Sequence, residues 1–168
     1  ERIHEIENTM SAYVEGSDIW RVNNSSAGER VRVNRDTLEV ASKGLFYSQL
    51  TDGRFDITIK PLVDLWGIGT DHPKVPSEKE IEEAVKKIGY QNILIDEEEG
   101  TISCLKEGMG IDLGGIAKGY AADEAIRVLK ENGIKRAYVD LGGNIVVLGK
   151  KKIGLMEYIK YKIRGRET

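Results

Sequence analysis

Apolar residues return every three or four positions at the start of the chain, at Ile3, Ile6, Met10 and Tyr13, with charged residues between them. That period predicts an amphipathic helix over residues 1–14, ended by Gly16. Ser17 is placed to cap a short turn carrying Ile19, Trp20 and Val22. A polar loop follows through Asn23, Asn24, Ser25, Ser26, Ala27 and Gly28, and Val31 and Val33 then alternate with arginines as in a short strand. A second helix is expected from about Thr37 to Leu50, with Asp36 near its start and Leu38, Val40, Ala41, Leu45 and Phe46 inward. Gly44 weakens such a helix by about 1 kcal/mol relative to Ala. Residues 51–56 read as a turn leading into a strand at Ile57, Thr58 and Ile59, and Pro61 suits a helix start before Leu62, Leu65 and Trp66.

After a loop from Gly67 to Pro76, Ser77 and Glu80 form a capping box that opens a helix over 77–88, with Gly89 at its end. Residues 92–95 and 102–105 flank an acidic turn at 97–100 and predict a hairpin. A glycine-rich turn over 108–119 feeds a helix through Tyr120, Ala121, Ala125, Ile126 and Leu129 that stops at Asn132 and Gly133. A second hairpin joins 137–141 to 145–148 through Gly142, Gly143 and Asn144. This order of helices and hairpins favours an α+β fold over a regular βαβ alternation. From Lys150 onward the chain is basic, and a helix or strand is expected around Met156 to Ile163.

Composition narrows the function. The chain has 168 residues, 40% hydrophobic and 32% charged, with a net charge of −3, which excludes a strongly basic nucleic-acid binder. One cysteine, Cys104, excludes an intramolecular disulfide framework, and reads as buried and inert. His4 and His72 match no metal-ligand spacing. No apolar run approaches the roughly 18 residues of a membrane span. No signal peptide or lipidation motif opens the sequence; it starts in mid-pattern, so a targeting segment is expected to have been removed or to lie upstream.

The richest chemistry lies in Asp112-Leu113-Gly114-Gly115-Ile116-Ala117-Lys118-Gly119. Glycines at the entrance to a helix let backbone N–H groups approach a phosphate, and the helix N-terminus favours negative charge. A turn carbonyl there can also ligate a hard metal ion. A tight structural turn fits the same residues equally well. The segment is neither a P-loop nor a Rossmann fingerprint. Asp56, after Phe55, suits either a hydrogen bond to a ligand or a local Asx contact that stabilises the turn. Tyr13 can stack on a planar ligand or simply edge the core. Trp20 and Trp66 read as core anchors, His72 and the run Glu97, Glu98, Glu99 as solvated, and Asp140 as part of the following turn.

Two long stretches carry a family resemblance. Residues 51–67, TDGRFDITIKPLVDLWG, are similar to a T-x-G-x-F-D-x-T-x-x-P-L-x-x-L-W-G block, and residues 111–123, IDLGGIAKGYAAD, match D-L-G-G-I-A-K-G-Y-A-x-D. Gly142, Gly143 and Asn144 match a G-G-N turn, while residues 10–13 and 17–23 fit an opening helix and an S-x-x-x-x-x-N segment. Over residues 4–149 the sequence resembles the ApbE family, the FAD:protein FMN transferases. The resemblance implies an ApbE-like mixed fold with helices packed on antiparallel or mixed sheet. It divides the chain into a flavin-nucleotide domain over 1–149 and a divergent basic tail over 150–168. The family's opening M-G-T-type strand has no counterpart here, nor do its later His-containing P-x-T-G segment and Asp/Thr cluster, so the fold is expected to be incomplete at both ends.

The same resemblance implies magnesium-dependent transfer of FMN from FAD to a Thr or Ser hydroxyl of a target redox protein, with release of AMP. It leaves open a non-catalytic FAD-binding remnant or accessory module, and a FAD pyrophosphatase. Tyr13, Arg54, Phe55, Asp56, Asp112 and Lys118 would contact FAD, Lys118 through its backbone, and the Gly115 carbonyl would be a magnesium ligand. Asp123 would hold its helix. No covalent nucleophile is needed, because the acceptor hydroxyl attacks directly, and the catalytic base stays unassigned. An extracytoplasmic setting, membrane-anchored or periplasmic, is expected. Homo-oligomerisation is left open, and no nucleic-acid partner is expected.

Overall fold

The computed structural model describes residues 1–150 and the backbone of 160–162. It is α+β, as the pattern of helices and hairpins predicts, and it divides into two compact units. One unit is residues 6–115 and the other residues 1–5 with 116–168.

α1 (Arg2–Met10) enters the larger unit at Ile6 and buries Ile6 and Met10. The helix stops four residues earlier than its apolar period suggests. The Ser11 hydroxyl accepts from the N–H groups of Tyr13 (3.2 Å) and Val14 (3.3 Å), which offers the backbone a turn in place of another helical rung. α2 (Asp18–Asn23) begins at the expected cap, with the Ser17 hydroxyl accepting from Trp20 N–H. Asp18 itself is only 4% exposed. Its carboxylate accepts from Arg21, from the Asn34 backbone and side chain, and from the Thr37 hydroxyl. Those bonds satisfy the buried charge and fasten α2 to the start of α3 (Arg35–Leu50).

α3 keeps part of the expected inward stripe and shifts the rest. Val40 and Ala41 are buried as expected and Leu38 and Leu45 half-buried, but Thr37, Gly44 and Ser48 are buried beside them while Phe46 is 57% exposed. The reason is a close approach. A Cβ on Gly44 would lie 2.7 Å from Ile57 Cγ2, so only glycine lets the following loop pack against this helix. Residues 57–59 form no strand. The Asp56 carboxylate accepts from both the N–H and the hydroxyl of Thr58, folding the segment into a turn at the start of α4 (Lys60–Trp66). Trp66 is 36% exposed and Trp20 half-buried, so neither is a core anchor.

α5 (Glu78–Val85) has its complete capping box and ends three residues short of Ile88. The Glu80 carboxyl is pulled down to about 2 by its hydrogen bond from Lys74 and by those from the Ser77 backbone and hydroxyl. A short 3₁₀ turn (Tyr90–Asn92) leads to the predicted hairpin of β2 (Ile93–Asp96) and β3 (Thr101–Cys104). β1 (Val31–Arg32) completes an antiparallel sheet of order β1-β3-β2, with Val31 opposite Ile102 and Ile102 opposite Ile95. The acidic tip at Glu97, Glu98 and Glu99 is exposed, and so is His72.

In the smaller unit, α6 (Gly114–Glu131, entering this unit at Ile116) packs on the hairpin of β4 (Ala137–Leu141) and β5 (Asn144–Leu148). Ala122, Ile126 and Val139 form the buried centre, with Leu129, Leu141, Val146 and Leu148 around it. The hairpin turn at Gly142 and Gly143 requires positive φ at both positions, +61° and +92°, and the Gly143 N–H donates to Asp140. The backbone of β6 (Lys160–Lys162) runs parallel to β4. The rest of the expected element at 156–163, and the 150–168 tail beyond Lys150, otherwise lie outside the described residues. Arg2 donates to Glu124 (2.8 Å), which also pairs with Arg127. Those two partners, Arg127 foremost, hold the Glu124 carboxyl below its usual range. Among the described residues every buried side-chain polar atom has a hydrogen-bond partner.

Two outcomes test this packing. Gly44→Ala should destabilise by about 1–3 kcal/mol through overpacking against Ile57, although helix propensity alone favours Ala by about 1 kcal/mol. Urea unfolding decides the sign. Burial pushes the Cys104 thiol up to about 11, so native protein at pH 8 should react with Ellman's reagent far more slowly than denatured protein.

Candidate functional site

The backbone of residues 110–115 is the centre of the larger unit's chemistry, and it is gripped from two sides. The Asn23 side chain donates to the Ile111 carbonyl (2.8 Å) and accepts from the Ile111 N–H (2.6 Å). One residue on, the Asp112 N–H donates to the Ile57 carbonyl (2.8 Å). Asn23 closes the S-x-x-x-x-x-N segment and Ile57 lies in the F-D block, so these bonds join three stretches far apart in sequence. Ile111 and Leu113 are fully buried, which leaves Asp112 between them facing outward.

α6 starts immediately afterwards. The Asp112 Oδ1 accepts from the Gly114 N–H (2.7 Å), taking one of the free donors of the first turn. Gly114 and Gly115 are thus helical, not part of a turn before the helix. Gly115 has its own reason to be glycine: a Cβ there would lie 3.0 Å from Phe55 Cε2. The ring of one sequence block therefore rests on the glycine of the other.

Asp56 is committed to structure. Besides Thr58, its carboxylate accepts from the Tyr90 N–H (3.1 Å), and the Thr58 hydroxyl accepts from Gly89 N–H (2.8 Å). Of the two roles open to Asp56 in the sequence, the Asx contact is the one its geometry displays. Arg54 is exposed and its guanidinium has no partner among the described residues.

Tyr13 is 56% exposed and stands in a polar cluster. Its hydroxyl donates to Asp64 (3.4 Å), the Lys60 ammonium lies 4.7 Å from its ring centroid, and Lys60 also bonds both Asp64 oxygens. Partial burial, followed by the charges of Asp112 and Asp64, pushes the Tyr13 phenol up to about 12. The ring thus stays a neutral donor next to Asp112. Lys60 and Asp64 carried no signal of their own in the sequence. Their only hint was the i, i+4 spacing on the helix that follows Pro61.

These two residues also line a neighbouring cleft of about 700 Å³ between α4, α5 and residues 108–110. Lys118 is exposed on α6 and belongs to the smaller unit, as does Asp123, which is also exposed. Also in that unit, Asn144 lies over α6, where a Cβ on Gly119 would be 3.5 Å from its amide nitrogen.

The Gly115 carbonyl is one hard oxygen donor. Magnesium ordinarily needs carboxylate charge as well as phosphate oxygens, and among the described residues no three His, Cys, Asp or Glu side chains gather. The described residues therefore do not form a magnesium centre on their own.

A stability comparison separates the two aspartates. Asp56→Ala should cost about 2–3 kcal/mol in urea unfolding, because it strands the N–H groups of Thr58 and Tyr90. Asp112→Ala should cost only about 1 kcal/mol, the value of one helix-capping bond. Equal losses would contradict the assignment of roles.

The sequence model of the ApbE family matches residues 1–164. The FAD:protein FMN transferase of Klebsiella pneumoniae is 32% identical over 139 residues, which are 83% of this chain and 44% of the relative. That of Vibrio cholerae is 32% identical over 155 residues, 91% and 46%. Among solved structures, the ApbE protein of Thermotoga maritima aligns with a TM-score of 0.81 and 36% identity, covering 88% of this chain and 48% of that one. The flavin transferase ApbE of Vibrio cholerae aligns at 0.82 and 31%, covering 89% and 48%. The chain spans under half the length of the curated relatives it matches. With a family match over almost its whole length and relatives above 30% identity, this chain belongs to the ApbE family.

Proposed function

We propose that this chain binds FAD at the start of α6 and takes part in moving its FMN half onto a Thr or Ser hydroxyl of a target redox protein. The observation that carries the reading is the contact of Phe55 with Gly115, together with the outward Asp112 between buried Ile111 and Leu113. It brings two distant family blocks to one helix N-terminus, where backbone donors and the helix field favour a pyrophosphate. The activity for which the relatives are named, FAD:protein FMN transfer, is consistent with that chemistry.

In this reading Tyr13 packs on a planar part of the nucleotide, with Lys60 behind its ring. Arg54 offers a free cation to the phosphates. Phe55 walls the site, and Asp56 holds its loop in place from behind. Asp112 keeps one oxygen on Gly114 and has the other available for a nucleotide hydroxyl or amide. The acceptor oxygen would attack the FMN phosphorus, the pyrophosphate P–O bond would break, and AMP would leave with the bridging oxygen. Magnesium would neutralise the pyrophosphate when bound, with the Gly115 carbonyl as one of its ligands. An extracytoplasmic location belongs to the same proposal. No helix among the described residues is long and apolar enough to cross a membrane.

The assay is incubation with FAD, magnesium and an acceptor protein, read by mass spectrometry. The expected result is a gain of one FMN on the acceptor, abolished by EDTA. Free FMN and AMP without acceptor labelling would mean hydrolysis, and bound FAD without either product a non-catalytic flavin-binding module. Asp112→Ala and Arg54→Ala should each weaken FAD binding about ten-fold in calorimetry. Unchanged affinity in both would overturn the site.

A further inference from the structure

Lys60 and Asp64 fall on open positions of the T-x-G-x-F-D-x-T-x-x-P-L-x-x-L-W-G pattern, so the pattern that marks the family assigns them no role. They stand at i and i+4 on α4 and share one face of it. A pair at that spacing contributes little when both side chains are in water. This one differs in its burial. The Lys60 side chain is 15% exposed, against 48% for Asp64. Its stem lies along the backbone at Gly110, where a Cβ would come within 3.0 Å of Lys60 Cδ. Its ammonium bonds both Asp64 oxygens, at 2.8 and 2.6 Å, and stands 4.7 Å from the centroid of the Tyr13 ring.

Tyr13 is thereby held along its whole length. The Ser11 hydroxyl accepts from its N–H (3.2 Å) and sets the backbone, while Asp64 accepts from its phenol (3.4 Å). Lys60 takes one face of the ring. Tyr13 nevertheless remains 56% exposed. A side chain so exposed, without such contacts, exchanges between rotamers in nanoseconds. Here the contacts converge on one orientation and leave the remainder of the ring open. Asp64 neutralises Lys60, so the ammonium is no spare phosphate ligand, and what it offers a site is its hold on the ring. Gly110 lies two residues before Asp112, so the hold is built on the same segment that presents that carboxylate.

We propose that Lys60 and Asp64 are positioning residues for the nucleotide, setting the Tyr13 ring in one orientation before FAD arrives so that its open surface meets a planar part of the ligand already ordered. The inference deepens the flavin reading above and rests on it. Ordering one such side chain in advance spares an entropy loss equivalent to roughly two- to ten-fold in affinity. Because Lys60 acts through Tyr13, its effect vanishes once the ring is gone.

The test uses the full chain as wild type, Lys60→Met, Tyr13→Ala and the double variant. Methionine keeps an unbranched stem against Gly110 and drops the charge. Calorimetry with FAD should show Lys60→Met binding about five-fold more weakly, Tyr13→Ala at least as weakly, and the double variant no more weakly than Tyr13→Ala alone. A second readout needs no ligand. In the proton NMR spectrum the Lys60 ε-methylene signal should lie upfield of those of the other lysines, shifted by the Tyr13 ring, and should return to their position in Tyr13→Ala. If Lys60→Met fails to fold, as circular dichroism will tell, Lys60→Gln serves instead with the same expectation.

Unchanged FAD affinity without the Lys60 charge would overturn the proposal. So would losses that add in the double variant, which mark a lysine reaching the ligand directly, and so would an ε-methylene signal indifferent to Tyr13→Ala. A signal that moves as expected in a wild-type protein that binds no FAD would sink the flavin reading and leave the ordered ring standing.

Discussion

The site depends on one arrangement of hydrogen bonds: a buried segment entering α6, held by the Asn23 side chain on one side and the Ile57 carbonyl on the other. An amide side chain that both donates to and accepts from a single residue acts like a strand partner one residue long. It satisfies backbone groups that would otherwise be costly to bury between Ile111 and Leu113. Because the segment cannot slide, Asp112 faces outward, Gly114 and Gly115 open the helix, and the Phe55 ring settles on the second glycine.

The carboxylates divide their work by the number of bonds each receives. Asp18 and Asp56 are filled by neighbouring donors and act as structural ties, one between α2 and α3, the other between the 55–58 turn and the chain after α5. Asp112 accepts a single backbone bond, and Asp64 shares itself between Lys60 and Tyr13 at the surface. A carboxylate with an oxygen to spare beside an open helix terminus is suited to a ligand. One whose oxygens are already engaged by its own loop is suited to holding that loop still.

Much of this was legible in the residues. The Ser17 and Ser77 caps, both hairpins, the buried Cys104 and the α+β class follow from short-range chemistry, which needs no knowledge of distant partners. The resemblance blocks pointed to the family. Where the reading missed, a tertiary contact decided. Gly44 looks like a flaw in a helix until Ile57 is seen pressing on it, and that contact turns Phe46 out and Ser48 in. Ile57, Thr58 and Ile59 have the composition of a strand, but Asp56 folds them into a turn. The roles of Asn23, Lys60 and Asp64 arise from pairings over 88, 47 and 51 positions, to Ile111, Tyr13 and Tyr13 respectively, and no local pattern encodes them.

Amide hydrogen exchange at residues 111–115, with and without FAD, addresses the central claim most directly. The account predicts that Ile111 and Asp112, already bonded within the protein, exchange slowly in both states, while Gly115, at the free end of the helix, slows markedly once FAD is added. Bound FAD with Gly115 exchanging as fast as before would contradict it.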